Sequence, residues 1–274
     1  MRNIAVIAGN FAFPFPVKML SYINANLKSN QIITRHSTLT KADLEKKRIE
    51  EITKLQQPLA VISLAMRPQP ESVTILQQAK IPMILIDEEA PGTSTIATDN
   101  YRGGYLAGEH LIKQGRKDLA VLCGSTQPGS GYNAINRLKG FRDAIATAGQ
   151  TLPNDRVFEV IYYAYHEGEQ AMNTWINENI TIDAVFSAAG DDCASGILRV
   201  AQDNKIQVPK DLAIIGYDDT ERAQSTVPPL TTIRQPLEEM GKAAYELATN
   251  ATDDLATNPK TITFQPSLVV RAST

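Results

Sequence analysis

Two cysteines in 274 residues, Cys123 and Cys193, are too few for a disulfide framework and lack the spacing of a metal-binding pair. They read as two partly buried thiols of a protein kept in a reducing compartment. Histidine is nearly as scarce, with His36, His110 and His166 only, and His110 falls in a helical run that suits a structural or surface place. No Cys, Ser or His stands as a nucleophile beside a base on neighbouring strand ends, and no G-x-S-x-G elbow is present, so an enzyme is not expected. There is no surplus of positive charge. Lys and Arg number 27 against 30 Asp and Glu, and a net charge of −3 is a poor footprint for holding phosphates or an anionic membrane. No window approaches the roughly 18 apolar residues of a membrane span. The start, MRNIAVIAGN, has no small-residue cleavage site, so a cytoplasmic protein is expected, or else a mature form whose signal was removed. Gly124-Ser-Thr-Gln-Pro-Gly129-Ser-Gly131 has the glycine spacing of a phosphate loop but no Lys to reach the phosphates. No G-x-G-x-x-G follows the first apolar run. Nucleotide cofactors are not expected, and the acidic doublets lack the alternating carboxylates of a calcium loop.

What the chain does have is a 43% apolar composition arranged in alternation. Ile4–Ala8, Val61–Ala65, Met83–Ile86, Leu119–Cys123, Val157–Ile161, Ala184–Ser187 and Leu212–Ile215 are short apolar runs. Continuous apolarity predicts strands covered on both faces, as in a parallel sheet. Helices are predicted between them, over Val17–Leu27, Lys41–Gln56, Ser72–Gln78, Gly104–Lys113, Ile135–Ala148, Glu167–Asn177, Asp192–Asp203 and Leu237–Thr249. The second of these opens on Thr40-x-x-Asp43, a near capping box, and its charge-dense remainder reads as a solvated face. The alternation predicts an α/β protein with right-handed crossovers, and this many strands suit two doubly wound sheets better than one. Ligands of such sheets sit beyond the carboxyl ends of the strands, so the residues just after each apolar run carry the interest.

Acidic doublets stand there, at Asp191-Asp192 and Asp218-Asp219. The first pair precedes a helical run and reads foremost as helix capping. Asp218, followed by the turn Thr220-Glu221, reads equally as facing a cleft. The aromatics near strand ends, Phe11, Phe13, Phe15, Tyr132 and Tyr163, fit either a core or stacking walls for a sugar ring.

Taken in order, these segments resemble the effector-binding core of the LacI/GalR family of bacterial transcriptional regulators. Thr98-Asp-Asn-Tyr-Arg-Gly-Gly-Tyr-Leu-Ala-Gly-Glu-His-Leu-Ile-Lys-Gln-Gly-Arg is similar to the family's D-N-x-x-G-G-x-x-A-x-x-H-L-I-x-x-G-H-R. Arg137-Leu-Lys-Gly-Phe matches R-L-x-G-F. Asp183-Ala-Val-Phe, Asp191-Asp-Cys-Ala-Ser-Gly, Val208-Pro-Lys-Asp-Leu-Ala-Ile-Ile-Gly-Tyr-Asp-Asp, Pro228-Pro-Leu-Thr-Thr-Ile-Arg-Gln-Pro and the ending Leu268-Val-Val-Arg-Ala-Ser-Thr follow in the family's order.

The resemblance implies a type I periplasmic-binding-protein-like fold: two doubly wound parallel-sheet lobes joined by three crossovers, with a small ligand in the cleft. The crossovers are expected near Gly115, Gln235 and Gln265, giving lobes of 1–114 plus 236–264 and of 115–235 plus 265–274. It also implies a homodimer, built on apolar surface of the helices after the first two strands. Family regulators carry a helix-turn-helix before this core. Here the first strand begins at Asn3, so operator DNA is expected to be read only through such a module and not by this chain. By matching position, Arg137 resembles the arginine that forks onto ligand hydroxyls, and Asp218 the aspartate that accepts two hydroxyl hydrogen bonds. Asp87, Thr98, Arg102, Asn133 and Gln235 match other pocket-lining positions, Phe13 and Phe15 a ligand-contacting loop, and Tyr163 a stacking aromatic. One departure matters: the usual Asn of A-N-D-x-x-A-x-G is Gly190 here, which removes a side-chain hydrogen bond or enlarges the pocket. The function implied is a small-molecule sensor, for a sugar or related metabolite, in a transcriptional regulator; the alternative is the solute-binding protein of a sugar transporter.

Overall fold

The computed structural model describes residues 2–11, 14–37, 42–127, 132–250, 255–256 and 258–274. Phe13, Thr40 of the near capping box and Gly129 and Gly131 of the glycine loop therefore lie outside the described residues. In chain order the elements are β1 (Arg2–Ala8), α1 (Pro14–Ala25), β2 (Gln31–Ser37), α2 (Ala42–Glu51), a π-helical turn (Ile52–Gln56), β3 (Val61–Leu64), α3 (Pro70–Gln78), β4 (Met83–Ile86) and β5 (Ser94–Thr98). Then come α4 (Asn100–Lys113), β6 (Leu119–Gly124), α5 (Tyr132–Ala146), β7 (Val157–Val160), α6 (Tyr165–Asn177), β8 (Ala184–Ser187), α7 (Asp191–Asp203), β9 (Ala213–Tyr217), α8 (Glu221–Ser225) and β10 (Thr231–Arg234). The chain ends with α9 (Leu237–Thr249), β11 (Thr261–Phe264) and β12 (Ser267–Val269).

Two compact units result. The first is Met1–Thr98 with Pro236–Phe264, the second Asp99–Gln235 with Gln265–Thr274. The first boundary thus falls after Thr98, earlier than the crossover expected near Gly115. The cause is packing: α4 lies against α5 and buries Ala107 and Leu111 in the second unit's core.

In the first unit six parallel strands run in the order β11-β5-β4-β3-β1-β2. Along β1 successive side chains enter opposite layers, Ile4, Val6 and Ala8 on one face and Ala5 and Ile7 on the other. Met19 and Ile23 of α1 and Met240 and Ala244 of α9 cover the former, Ile49, Ile52 and Leu76 the latter. This double covering is why the strand reads as unbroken apolarity.

The second unit repeats the plan in the order β12-β10-β9-β8-β6-β7. Only β12 departs from the expected parallel direction, pairing antiparallel with β10. Leu119, Val121 and Cys123 of β6 face α4 and α5, while Ala120 and Leu122 face α6 and α7. The strand order reverses between β6 and β8, the switch point at which doubly wound sheets open a crevice beyond their carboxyl ends.

Candidate ligand site

Beyond the carboxyl ends of β8 and β9 the second unit assembles an uncommon set of buried charges. Arg137, on α5, is only 4% exposed. It comes this close because α4 and α5 touch backbone to backbone: a Cβ at Gly104 would overlap the Arg137 carbonyl, and one at Gly140 the Tyr101 carbonyl. Arg137 Nε donates to Asn100 Oδ1 at 2.7 Å and Nη1 donates to the Ala188 carbonyl at 2.9 Å. Its guanidinium carbon lies 3.7 Å from the centroid of the Tyr217 ring, a cation–π contact in a dry setting.

Tyr217 ends β9, and the next residues turn sharply. Asp218 and Asp219 have φ of +99° and +52°, and Gly190, after β8, has +103°. Left-handed backbone at two non-glycine residues is strained, and such strain concentrates where side chains must be aimed. Gln235 Nε2 donates to Asp218 Oδ1. A Cβ at Gly190 would come within 3.2 Å of Asp218 Oδ2, so the missing side chain leaves room beside that carboxylate. Asp219 turns away, accepting from Arg234 Nε at 2.6 Å and from Arg271 Nη2. Burial raises its carboxyl pKa, but the two arginines outweigh burial and hold it below the ordinary range.

Asp191 corrects an expectation. It does not cap α7, whose N-cap is Gly190. Instead Asp191 is buried, accepts from the Thr220 amide and the Thr232 hydroxyl, both at 2.7 Å, and thereby ties α7 to the loop after β9 and to β10. Burial first, and the neighbouring Asp218 second, push its pKa up to about 7. Asp192 faces outward and pairs with Arg222.

The structure thus sets Gly190 and Gln235 against Asp218, and Arg137 against Tyr217 and Ala188, the residues adjoining that turn. The other expected residues have their own surroundings, each within its unit. Arg102 is exposed, its guanidinium 5.5 Å from the Tyr105 ring centroid. Asn133 Oδ1 accepts from the Ala134 amide at the start of α5. Tyr163, with φ +56°, rests its hydroxyl against Gly124 at the end of β6. Glu167 anchors that loop: buried, it accepts from the amides of Ile161, Tyr162 and Ala164 at 2.7 to 3.2 Å. In the first unit, Asp87 and Thr98 are buried after β4 and at the end of β5. Asp87 has φ +60°, and Thr98 Oγ1 donates to Met240 Sδ at 3.3 Å. Phe15, at the start of α1, packs half-buried on the first unit's core. His110 has the structural place expected of it, with Nε2 2.9 Å from Thr274 Oγ1. A crevice of about 830 Å³ lies along α5, lined by residues such as Ile135, Lys139, Arg142 and Glu159. It includes none of the expected site residues, and its charged rim is paired internally, Lys139 with Asp143 and Thr126 with Glu159.

Sequence reasoning missed Asn100, Asp191 as a tie, and Asp219. Their one local signal was an acid or amide directly following a buried strand, which does not distinguish capping from long-range bonding.

Comparison with known proteins agrees with the fold. A family described as periplasmic binding protein-like domain matches residues 108–274. The transcriptional repressor PurR of Klebsiella pneumoniae is 30% identical over 84% of this chain and 68% of its own. The transcriptional regulator GalR of Escherichia coli K12 is 33% identical over 84% of this chain and 66% of its own. A solved complex of the transcriptional regulator CelR with cellobiose superposes with a TM-score of 0.84 at 24% identity, covering 99% of this chain and 84% of that one, and so shares the fold. This chain spans 57% to 68% of the length of such curated relatives. Among the described residues no helix is long and apolar enough to cross a membrane. The chain belongs to the periplasmic binding protein-like family and, within it, to the effector-binding domains of LacI/GalR-family transcriptional regulators, which are not enzymes.

Proposed function

We propose that the effector is a neutral sugar or closely related polyol, held in the second unit by Arg137 and Asp218. The observation that carries this reading is a buried guanidinium held against the ring of Tyr217, the residue immediately before Asp218. A cation that only donates and a carboxylate that only accepts fix the direction of hydroxyl protons, the demand a polyol makes. Gly190 enlarges the space beside Asp218. The family resemblance offers Phe13, Phe15, Asp87, Thr98, Arg102, Asn133, Tyr163 and Gln235 as the further positions at which to test discrimination among sugars. The cellobiose-bound neighbour supports the ligand class. The protein acts in the cytoplasm as a homodimer, using exposed apolar residues such as Val17 on α1 and Leu55 in the π-helical turn. Operator DNA is contacted through a helix-turn-helix like that of family regulators rather than through residues 1–274. Light scattering should return twice the 30.0 kDa chain mass.

A thermal-shift panel of pentoses, hexoses and disaccharides, followed by calorimetric titration, tests the ligand class. Arg137→Ala and Asp218→Ala should each lose about 2 kcal/mol of binding, roughly thirtyfold in affinity, with the fold retained. Unchanged affinity in both would remove them from the site.

A further inference from the structure

We propose that Asn100 is the positioning residue of this site, the group that sets where the Arg137 guanidinium points; the assignment rests on Arg137 being a ligand contact. Asn100 occupies the first position of α4, where a side-chain amide ordinarily serves its own helix. That task falls to Asp99, whose Oδ1 accepts from the Arg102 amide at 2.8 Å. Asn100 turns inward, at 2% exposure, and its Oδ1 is shared by two donors. Arg137 Nε donates to it at 2.7 Å and the Tyr217 hydroxyl at 3.2 Å. One oxygen therefore fixes both the Nε edge of the guanidinium and the ring against which its face lies.

The neighbouring sequence makes room for this arrangement. A Cβ at Gly103 would meet the Tyr217 hydroxyl, and the close approach at Gly104 and Gly140 brings Asn100 across from Arg137. The residue type also fits. An amide oxygen orients the guanidinium while adding no charge, whereas a carboxylate here would form a charge-neutralising pair and weaken the pull on a ligand.

The test reads the Nε–H signals of arginine in uniformly nitrogen-15-labelled protein, with the Arg137 signal identified by its absence in Arg137→Lys. In the wild type this proton should exchange with water at least about tenfold more slowly than those of exposed arginines. Asn100→Ala should bring it to the exposed rate, and Asn100→Asp, which keeps an acceptor oxygen in place, should restore slow exchange. Should Asn100→Ala not fold, Asn100→Ser, too short to reach Nε, gives the same reading. In parallel, titration with D-ribose, D-galactose and cellobiose compares the same variants, and about a tenfold loss of affinity is expected for Asn100→Ala. If Arg137→Ala binds these sugars as the wild type does, the ligand-site reading falls. If Arg137→Ala loses binding while Asn100→Ala keeps both affinity and slow exchange, the positioning role of Asn100 falls. If none of the three sugars binds, the exchange rates alone decide the role.

Discussion

The helix pairs α4–α5 and α6–α7 cover opposite faces of one sheet and are sealed by the same device. In the first, Gly104 and Gly140 each meet the other helix's backbone; in the second, Gly168 meets the Cys193 carbonyl and Gly196 the Tyr165 carbonyl. Yet the two seams serve different ends. The α4–α5 seam brings a buried cation and its amide partner together beside Tyr217. The α6–α7 seam closes over Trp175, Met172 and Ile197 and over the Cys193 thiol, which donates to the Ala164 carbonyl. A glycine pair at helix spacing therefore reports close backbone approach, and what the approach is for depends on the side chain one turn away.

The largest effect should come from filling either seam. The obstructing atoms are backbone carbonyls, which cannot swing aside, so Gly140→Ala and Gly168→Ala should each cost about 3 kcal/mol in urea unfolding. The comparison is sharpened by ligand binding: Gly140→Ala should lose sugar affinity beyond its effect on stability, while Gly168→Ala should keep it in the folded fraction. Equal losses in both would mean that the seams are not functionally distinct.

Next in size is Glu167, which gathers three amides of the loop before α6. Glu167→Ala should cost about 2 kcal/mol of stability, read by thermal or urea unfolding, since a charged acceptor is withdrawn from three half-buried backbone amides. A loss of a few tenths would show that water replaces it.

A smaller effect concerns pH. Asp191 has its pKa raised to about 7 by burial and by Asp218, and in the first unit Glu88 is raised to about 7 by burial and by Asp87. A carboxyl group whose folded pKa lies above its unfolded value binds more protons in the native state over that interval. Its stabilising contribution is therefore full below about pH 4 and is lost as pH rises through about 7. Urea midpoints should fall between pH 5 and 8, and Asp191→Asn should flatten much of that slope, its amide still able to serve Thr220 and Thr232. Adding Glu88→Gln should flatten the remainder. A slope of the opposite sign in the wild type would contradict both assignments.

These cases also mark how far the sequence could be read. Strands such as β1, β6 and β9 were legible because sheets covered on both faces demand unbroken apolarity. β5 and β10 were not, since Ser94, Thr231 and Thr232 are buried in them. Their hydroxyls bond distant groups, Ser94 to the Lys260 amide, Thr232 to Asp191, and Thr231 to the Arg271 carbonyl and Thr274. No local pattern reveals partners 40 or more residues away. At the candidate site, Asp218 stood out as an acid directly after a buried strand, Arg137 came through resemblance alone, and Asn100 lay unread inside a motif quoted for its glycines. Arg271 was likewise visible only as part of a chain ending, although it holds Asp219 and so steadies the turn that aims Asp218.

The smallest expected effect uses the two cysteines as reporters of the two seams. Cys123 lies in the layer beneath α4 and α5 with Phe141, and Cys193, on α7, faces the layer it shares with Trp175 of α6. Burial, ahead of the neighbouring Glu159, pushes the Cys123 thiol up to about 12; burial, ahead of Glu167, raises that of Cys193 as well. Only the thiolate attacks a disulfide reagent, so at pH 7 both should be silent in the native wild type. Opening one seam should expose one of them. In Gly168→Ala the contact at the Cys193 carbonyl is the one that must yield, and Cys193 should label with an aromatic disulfide reagent well before Cys123. In Gly140→Ala the order should reverse, as α5 lifts from β6. Mass spectrometry of labelled peptides after a timed quench gives the order directly. Simultaneous labelling of both thiols in both variants would mean that the second unit opens only as a whole, and that its two helix layers cannot be loosened one at a time.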